Sequence, residues 1–155
     1  MLIRRPWNGL FFVGFALISG LTLGYQQILL TKDDWRGVAL YLEAHIENGD
    51  VVYANPAASS LALNLYWKNP YSYNGYPPNY DILHGGWAGQ PLSPQIADEE
   101  LTNSTQGFKR VWLVEFYPKF WDENQYIPAW LASHGNLSDD KSFNNIHLRL
   151  YELIP

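Results

Sequence analysis

The chain opens with a long apolar run that carries no charge. Residues 7–30 contain no Asp, Glu, Lys or Arg, whereas Arg4 and Arg5 precede them. A helix that crosses the ~30 Å hydrocarbon core of a bilayer needs roughly 20 mostly apolar residues. The pattern predicts one transmembrane helix in a single-pass cell-membrane protein. The arginines place its N-terminus in the cytoplasm and the rest of the chain outside.

A cleaved secretory signal is the alternative interpretation of this run. Signal peptides also start with basic residues, but their apolar stretch is usually only ~7–15 residues and ends in a small-residue cleavage site. Here the run is longer, and residues 22–27 (TLGYQQ) make a poor cleavage site. Trp7 and Tyr25 stand at the two ends of the apolar stretch 7–25, which precedes Gln26 and Gln27, and aromatic rings at such ends favour the headgroup level. These features favour an anchor over a signal.

Beyond the uncharged run the hydrophobic spacing alternates between helix and strand. Residues 35–46 place apolar side chains at helical intervals, after an acidic cap region and before Asn48-Gly49. Residues 50–55 form a short apolar stretch typical of a buried strand. Asn55-Pro56 then provides a cap and a proline suited to start a helix over residues 57–67. This order predicts the beginning of a Rossmann-like layer.

The middle of the chain has little regular periodicity. Five prolines interrupt residues 68–107, and the pattern there predicts only a short strand at 79–83 and a short helix at 94–101. Residues 109–116 follow as a near-continuous apolar strand, which is typical of a central strand in a parallel sheet.

The last part of the chain predicts one more helix and one more strand. Residues 126–134 form the helix, which Gly135 ends. Residues 143–153 alternate apolar and polar side chains, as a half-exposed edge strand does. The predicted fold class is therefore α/β. One transmembrane helix precedes a small Rossmann-like αβα domain with a three- to four-stranded, mostly parallel sheet.

Two parts follow from this organisation. Residues 1–30 form the cytoplasmic start and the membrane helix, and residues 31–155 form the extracytoplasmic α/β domain. The second part has eight basic and fifteen acidic residues, a net charge of −7. Nucleic acid is not an expected partner, because it rewards clustered Lys and Arg. The chain has no cysteine, which excludes disulfides and thiolate metal sites.

Catalytic and cofactor motifs are missing from the sequence. The turn after the first predicted strand, Asn55-Pro-Ala-Ala-Ser-Ser60, lacks the glycines of a dinucleotide-binding loop and the G-x-S-x-G elbow of a hydrolase. Its four histidines have no ligand spacing, and His45 and His134 are better explained as helix C-terminal residues. We therefore assign no catalytic residue, no metal ligand and no cofactor to this chain.

An aromatic segment between residues 66 and 87 is the candidate binding surface. Tyrosine and tryptophan rings recur there between prolines and glycines, and their polar edges suit a sugar or a partner surface. A loop packed down on the sheet is the alternative. The candidate binding residues are Tyr71, Tyr73, Tyr76, Tyr80, Asp81, His84 and Trp87.

Several stretches taken together resemble a known family. The opening stretch DDWRGVALYLEAHIENGDVVY supplies Asp34, Trp35, Arg36, Tyr41, Gly49, Asp50 and Val51-Val52-Tyr53. Later matches are Arg110-Val-Trp-Leu-Val114, Trp130-Leu131, Gly135, Leu137, Phe143 and the strand 146–152. In order and spacing they resemble the extracytoplasmic C-terminal domain of GT-C-type membrane glycosyltransferases, the dolichyl-phosphate-mannose–protein mannosyltransferase-like enzymes. The resemblance covers residues 31–155.

The resemblance implies a glycosyltransferase system that takes sugars from a polyprenyl-phosphate carrier. In that family the catalytic acid belongs to an early loop beneath many membrane helices, and no residue of this sequence matches it. The first hypothesis is therefore a non-catalytic C-terminal module, a fragment or separated piece, acting on cell-envelope glycans, lipids or proteins. Its partners would be the bilayer and a multi-helix glycosyltransferase core or a glycan acceptor. The alternatives are a stand-alone membrane-anchored binding protein that uses the aromatic loop, and a secreted α/β enzyme.

Overall fold

The computed structural model describes residues 7–29, 32–68, 73–76 and 92–154. The chain divides into two compact units, Met1–Lys32 and Asp33–Pro155. Helix α1 (Trp7–Leu29) belongs to the first unit, and all other described elements belong to the second.

Helix α1 corrects the expectation of a transmembrane helix. The side chains that the structure describes in α1 cover residues 12–24, and most of them are exposed. Gly14, Ser19, Gly20 and Thr22 lower the mean hydropathy of these positions. Across the described residues, no helix is both long and apolar enough to cross a membrane.

A mixed sheet with strand order β2-β1-β3-β5-β4 forms the centre of the Asp33–Pro155 unit. Its strands are β1 (Asp50–Asn55), β2 (Tyr73–Gly75), β3 (Arg110–Phe116), β4 (Gly135–Phe143) and β5 (Ile146–Leu153). Strand β1 runs parallel to both β2 and β3, whereas β5 is antiparallel to both β3 and β4. The α/β class is confirmed, but the predicted three- to four-stranded, mostly parallel sheet is wrong.

The difference comes from the C-terminal hairpin of β4 and β5. Asn144 and Asn145 connect these strands with φ values of 25° and 38°. Positive φ at both central residues is what a tight two-residue hairpin turn requires, and asparagine tolerates it. Because the sequence of β4 is mostly polar, its pattern did not predict a strand, and β5 was therefore expected at the edge of the sheet. In the structure β4 is the edge strand, and β5 lies between β4 and β3.

Most of the helices lie where the spacing predicts them. Helices α2 (Trp35–His45), α4 (Pro94–Thr105) and α6 (Tyr126–His134) confirm the three predicted there. Helix α3 (Ser59–Asn64) is shorter than predicted, and α5 (Pro118–Trp121) was not expected. The predicted strand at 79–83 falls outside the described residues.

Two hydrophobic cores cover the two faces of the sheet. Alternate residues of each strand point to opposite faces, so Val52 and Val114 contribute to one core and Val51 and Leu113 to the other. The first core includes residues of α2 and α3, and the second includes residues of α4 and α6. We refer to the second side as the α4/α6 face.

Trp35 is a structural residue of the first core. Asp34 caps α2 by accepting a hydrogen bond of 2.8 Å from the Gly37 amide. Trp35 follows this cap, is buried in the first core and lies 5.1 Å from Phe116 between ring centroids. The indole therefore fixes the start of α2 to the central strand.

Trp35→Ala is expected to destabilise the domain by about 3–5 kcal/mol, because it removes a buried aromatic side chain and leaves a cavity. Leu40→Ala in the same helix is the matched control. Leu40 is exposed, so its loss should change the free energy of unfolding by less than about 0.5 kcal/mol. Denaturant unfolding of both variants measures the difference, and equal stabilities would show that Trp35 is not a core residue.

Candidate functional site at the carboxyl end of the parallel strands

The predicted aromatic surface is described only in part. Tyr73 lies in β2, and Tyr76 directly follows that strand. Tyr76 is buried, 9% exposed, in the core of the α4/α6 face, so it does not present the exposed ring that was expected there. The remaining candidates fall outside the described residues: Tyr71, Tyr80, Asp81, His84 and Trp87.

Polar side chains meet instead at the carboxyl end of β1 and β3. Asn55 is the last residue of β1 and is the register partner of Glu115 on β3. Glu115 in turn is the register partner of His147 on β5. In open α/β sheets, ligands bind outside the carboxyl ends of the parallel strands. We call Asn55, Glu115 and the groups around them the carboxyl-end cluster.

The two-residue repeat of the strands places this cluster on the α4/α6 face. In β1, Val51 and Tyr53 belong to the core of that face, and Asn55 is the next residue in the same alternation. In β3, Val111 and Leu113 lead in the same way to Glu115. Each strand therefore buries apolar side chains along this face and ends on a polar one.

Asn55 is buried without a hydrogen bond to its side chain. It is 1% exposed, and within the described part of the chain neither Nδ2 nor Oδ1 has a partner. Adjacent backbone groups are paired, because the Pro56 carbonyl accepts from Ser59 Oγ at 2.7 Å and the Tyr76 carbonyl accepts from the Ala57 amide at 2.8 Å. A buried polar group left unpaired costs about 1–3 kcal/mol. Burial of the unpaired Asn55 side chain therefore lowers the free energy of unfolding of the domain.

Glu115 is fully buried, and only one of its two carboxyl oxygens has a hydrogen-bond partner among the described residues. Its Oε2 accepts a hydrogen bond of 2.8 Å from Arg149 Nη1, whereas Oε1 has no partner among the described residues. Burial raises the pKa of Glu115 from its ordinary 4.5 to about 7. The Arg149 charge opposes this rise, and the charges of Asp122 and Asp140 add to it. Near neutral pH both the protonated and the ionised forms of this carboxyl group are therefore populated.

Two further carboxylates make the surroundings acidic. Asp122 is buried and caps α6, accepting from the Tyr126 amide at 2.8 Å and the Ile127 amide at 2.9 Å. Asp140 Oδ2 lies 3.5 Å from Arg149 Nε. Arg149 is thus shared between two carboxylates, and these contacts leave no excess of positive charge to attract an anion.

At the amino end of the same strands, another buried carboxylate has hydrogen-bond partners for both of its oxygens. Asp50 is buried, and it accepts hydrogen bonds from Arg110 at 2.7 and 2.8 Å and from Trp112 Nε1 at 3.0 Å. Burial raises its pKa, but hydrogen bonds from Arg110, the Glu47 amide and Trp112 together hold that pKa below its usual range. With its bonds complete, this ion pair has a structural role. The carboxyl-end cluster differs because its hydrogen bonding is incomplete.

Sequence reasoning did not identify the carboxyl-end cluster. Asn55 was interpreted as a helix cap, and Glu115 was part of a run chosen for its apolar residues. A usable signal was present, because each buried apolar run carries a polar residue at or next to its carboxyl end: Asn55 in DVVYAN and Glu115 in RVWLVEF. A polar residue next to a buried run is common at strand ends, so this signal alone is weak.

Histidines and carboxylates form no metal centre in the described part of the chain. No group of three or more potential ligands is arranged there to hold an ion. His45 and His134 occupy the last turns of α2 and α6, and their rings lie 2.8 and 2.9 Å from the carbonyls of Tyr41 and Trp130. Both histidines therefore act at helix ends, as the sequence indicates.

Comparisons with known proteins assign no family to the chain. A scan against protein-family models finds no match, and searches of curated proteins and of solved structures find none either. The resemblance to membrane glycosyltransferases rests on the sequence stretches quoted above and stays a prediction.

Glu115→Gln is expected to remove a specific pH dependence of stability. The folded state raises the pKa of Glu115 above its unfolded value, so its contribution is fully present below pH 4.5 and is lost as the pH rises through about 7. That loss is on the order of 3 kcal/mol in the wild-type chain.

Urea unfolding at a series of pH values between 4 and 8 measures this contribution as the difference between wild type and Glu115→Gln. Other carboxylates contribute equally to both proteins and cancel in the comparison. Parallel stability profiles for the two proteins would show that Glu115 has an ordinary pKa.

Proposed function

We propose that this chain is a non-catalytic, glycan-binding module of a membrane glycosyltransferase system that acts on cell-envelope glycans, lipids or proteins. The binding site is the carboxyl-end cluster of Asn55 and Glu115. One observation carries the proposal: two neighbouring polar side chains are buried at the ligand-binding end of the sheet with hydrogen-bonding atoms left unpaired.

The chemistry of these atoms matches a polyhydroxylated ligand. The Asn55 amide offers both a donor and an acceptor, and Glu115 Oε1 accepts when ionised or donates when protonated. A hydroxyl group is itself a donor and an acceptor. Adjacent hydroxyls of a sugar ring could therefore complete the bonds that the protein leaves open, and each bond recovered offsets the cost of burying these groups.

The charge of the cluster favours a neutral sugar over a phosphorylated one. The guanidinium of the cluster belongs to Arg149, which already forms ion pairs with Glu115 and Asp140. The carboxyl groups of Glu115, Asp122 and Asp140 would repel a phosphate, and the Arg149 guanidinium beside them is already paired. We infer that the module binds the acceptor glycan, whereas the polyprenyl-phosphate sugar implied for the parent family would be bound by a separate catalytic core.

The resemblance supports the remaining parts of the proposal. It implies an extracytoplasmic location for residues 31–155 and gives none of them a catalytic role. In this proposal the module holds or orients an acceptor, and a multi-helix partner carries out the sugar transfer.

A stand-alone binding protein that uses the aromatic loop is the second candidate. Tyr66 favours it, because this residue is 56% exposed at the start of the aromatic segment. Gene neighbourhood discriminates between the two candidates. An adjacent reading frame that encodes the membrane helices and the loop acid would support the glycosyltransferase system.

Asn55→Leu is expected to improve stability and to weaken glycan binding. Leucine has nearly the shape of asparagine without its polar atoms, so it should relieve the unpaired amide by about 1 kcal/mol. Affinity for neutral oligosaccharides should fall at least about tenfold, because the ligand hydroxyls lose their partner. Calorimetric titration with a panel of neutral oligosaccharides, together with urea unfolding, measures both effects.

Asn64→Leu is the matched control, because Asn64 is exposed on α3 and should affect neither property. An Asn55→Leu protein that keeps wild-type affinity would contradict the assigned site. Absence of binding to any neutral oligosaccharide by the wild-type protein would contradict the proposed function.

A further inference from the structure

We propose that His147 and Ser142 form a second subsite of the glycan site, so that the module binds at least two linked sugar units of a neutral oligosaccharide. This inference rests on the proposed function and deepens it, because it extends the site from single hydroxyl groups to the length of the ligand. No comparison and no sequence motif assigns a role to either residue.

The register of the sheet places four polar residues in one row across it. Asn55 on β1 is the register partner of Glu115 on β3. His147 on β5 is the register partner of Glu115 on one side and of Ser142 on β4 on the other. Three spacings between neighbouring strands, each ~4.8 Å, make this row about 14 Å long, which is longer than a single pyranose ring. We call these four residues the polar row.

The side chains of the polar row share the α4/α6 face. Along β5, Ile146 and Leu148 pack in the first core, so His147 between them points to the opposite face. Along β4, Phe143 packs against the first core, which directs the preceding Ser142 to the α4/α6 face in the same way. The two members on β1 and β3 follow the alternation of the second core. The row therefore lines one continuous surface.

Exposure increases along the polar row from β1 to β4. Asn55 and Glu115 are at most 1% exposed, whereas His147 is half-buried and Ser142 is exposed. At the β1 end the row meets Tyr76, which is buried in the core of the same face and whose backbone is hydrogen-bonded to residues on both sides of Asn55. A ligand that completes the hydrogen bonds of Asn55 and Glu115 therefore reaches them from the β4 side and extends past His147 and Ser142.

The outer half of the row offers hydrogen-bonding groups that suit a second sugar. A histidine ring can donate from one nitrogen and accept at the other, and a serine hydroxyl can do both. The next register pair on this face is Arg149 with Asp140, and these two side chains are joined by an ion pair of 3.5 Å. The charges beside the outer half are thus paired with each other. A neutral disaccharide unit therefore matches the chemistry of the row along its length.

The test compares monosaccharides with disaccharides in calorimetric titrations of the full chain. The probes are glucose, mannose, galactose and N-acetylglucosamine, each with a disaccharide of the same sugar. In wild-type protein, we expect the disaccharide of the recognised sugar to bind at least about fivefold more tightly than the monosaccharide, because the second unit adds hydrogen bonds. In the double variant His147→Ala with Ser142→Ala, the two affinities should differ by less than about twofold.

The double variant Asn136→Ala with Glu152→Ala is the matched control. Asn136 and Glu152 are another register pair of β4 and β5, they are exposed, and they lie at the opposite end of these strands. The control should keep the wild-type ratio of the two affinities. Ser142→Ala alone serves if the double variant fails to fold, because an exposed serine tolerates this change, and it should lower the ratio at least about twofold.

Two failures remain distinguishable. Wild-type protein that binds none of the monosaccharides or disaccharides overturns the proposed function. Binding that depends on Asn55 but is no tighter for disaccharides overturns only the second subsite. The second subsite is also overturned if the variants at His147 and Ser142 keep the wild-type ratio, or if the control loses it equally.

Discussion

The structure depends on the requirement that buried polar groups find hydrogen-bond partners. The two ends of the central parallel strands meet it differently. At the amino end, Asp50 is paired with Arg110 and Trp112 and fixes the register of β1 and β3. At the carboxyl end, Asn55 and Glu115 remain partly unpaired within the described residues. A domain with only a few kcal/mol of net stability carries such groups where they serve another purpose.

That contrast connects the fold to the proposed function. The sheet places both groups on the α4/α6 face because each strand alternates strictly until its last inward residue. Asp122 then brings the chain back to the same face by capping α6, and the residues before it must cross the open end of the sheet. Unpaired hydrogen-bonding atoms therefore lie at one edge of the sheet, among carboxylates that disfavour phosphate. This combination suits the recognition of a neutral sugar.

The sequence predicted the parts of the fold that depend on local pattern. The apolar runs of β1 and β3, the acidic cap of α2 and the glycine that ends α6 were identifiable because each signal lies within a few residues. Strand β4 was missed because the edge strand carries polar side chains on its exposed positions. The carboxyl-end cluster was missed for a different reason, since Asn55 and Glu115 are sixty residues apart. Their adjacency, and the lack of a partner that makes them informative, exist only after β1 and β3 have paired.

The most direct test of the central claim is an NMR titration of the Glu115 side-chain carboxyl carbon, with and without a neutral oligosaccharide. The account predicts a midpoint near pH 7 in the free protein, because burial raises this pKa. It also predicts a lower midpoint with saturating oligosaccharide, because a ligand hydroxyl that donates to Oε1 favours the ionised form. A midpoint near 4.5 that the oligosaccharide leaves unchanged would contradict the account.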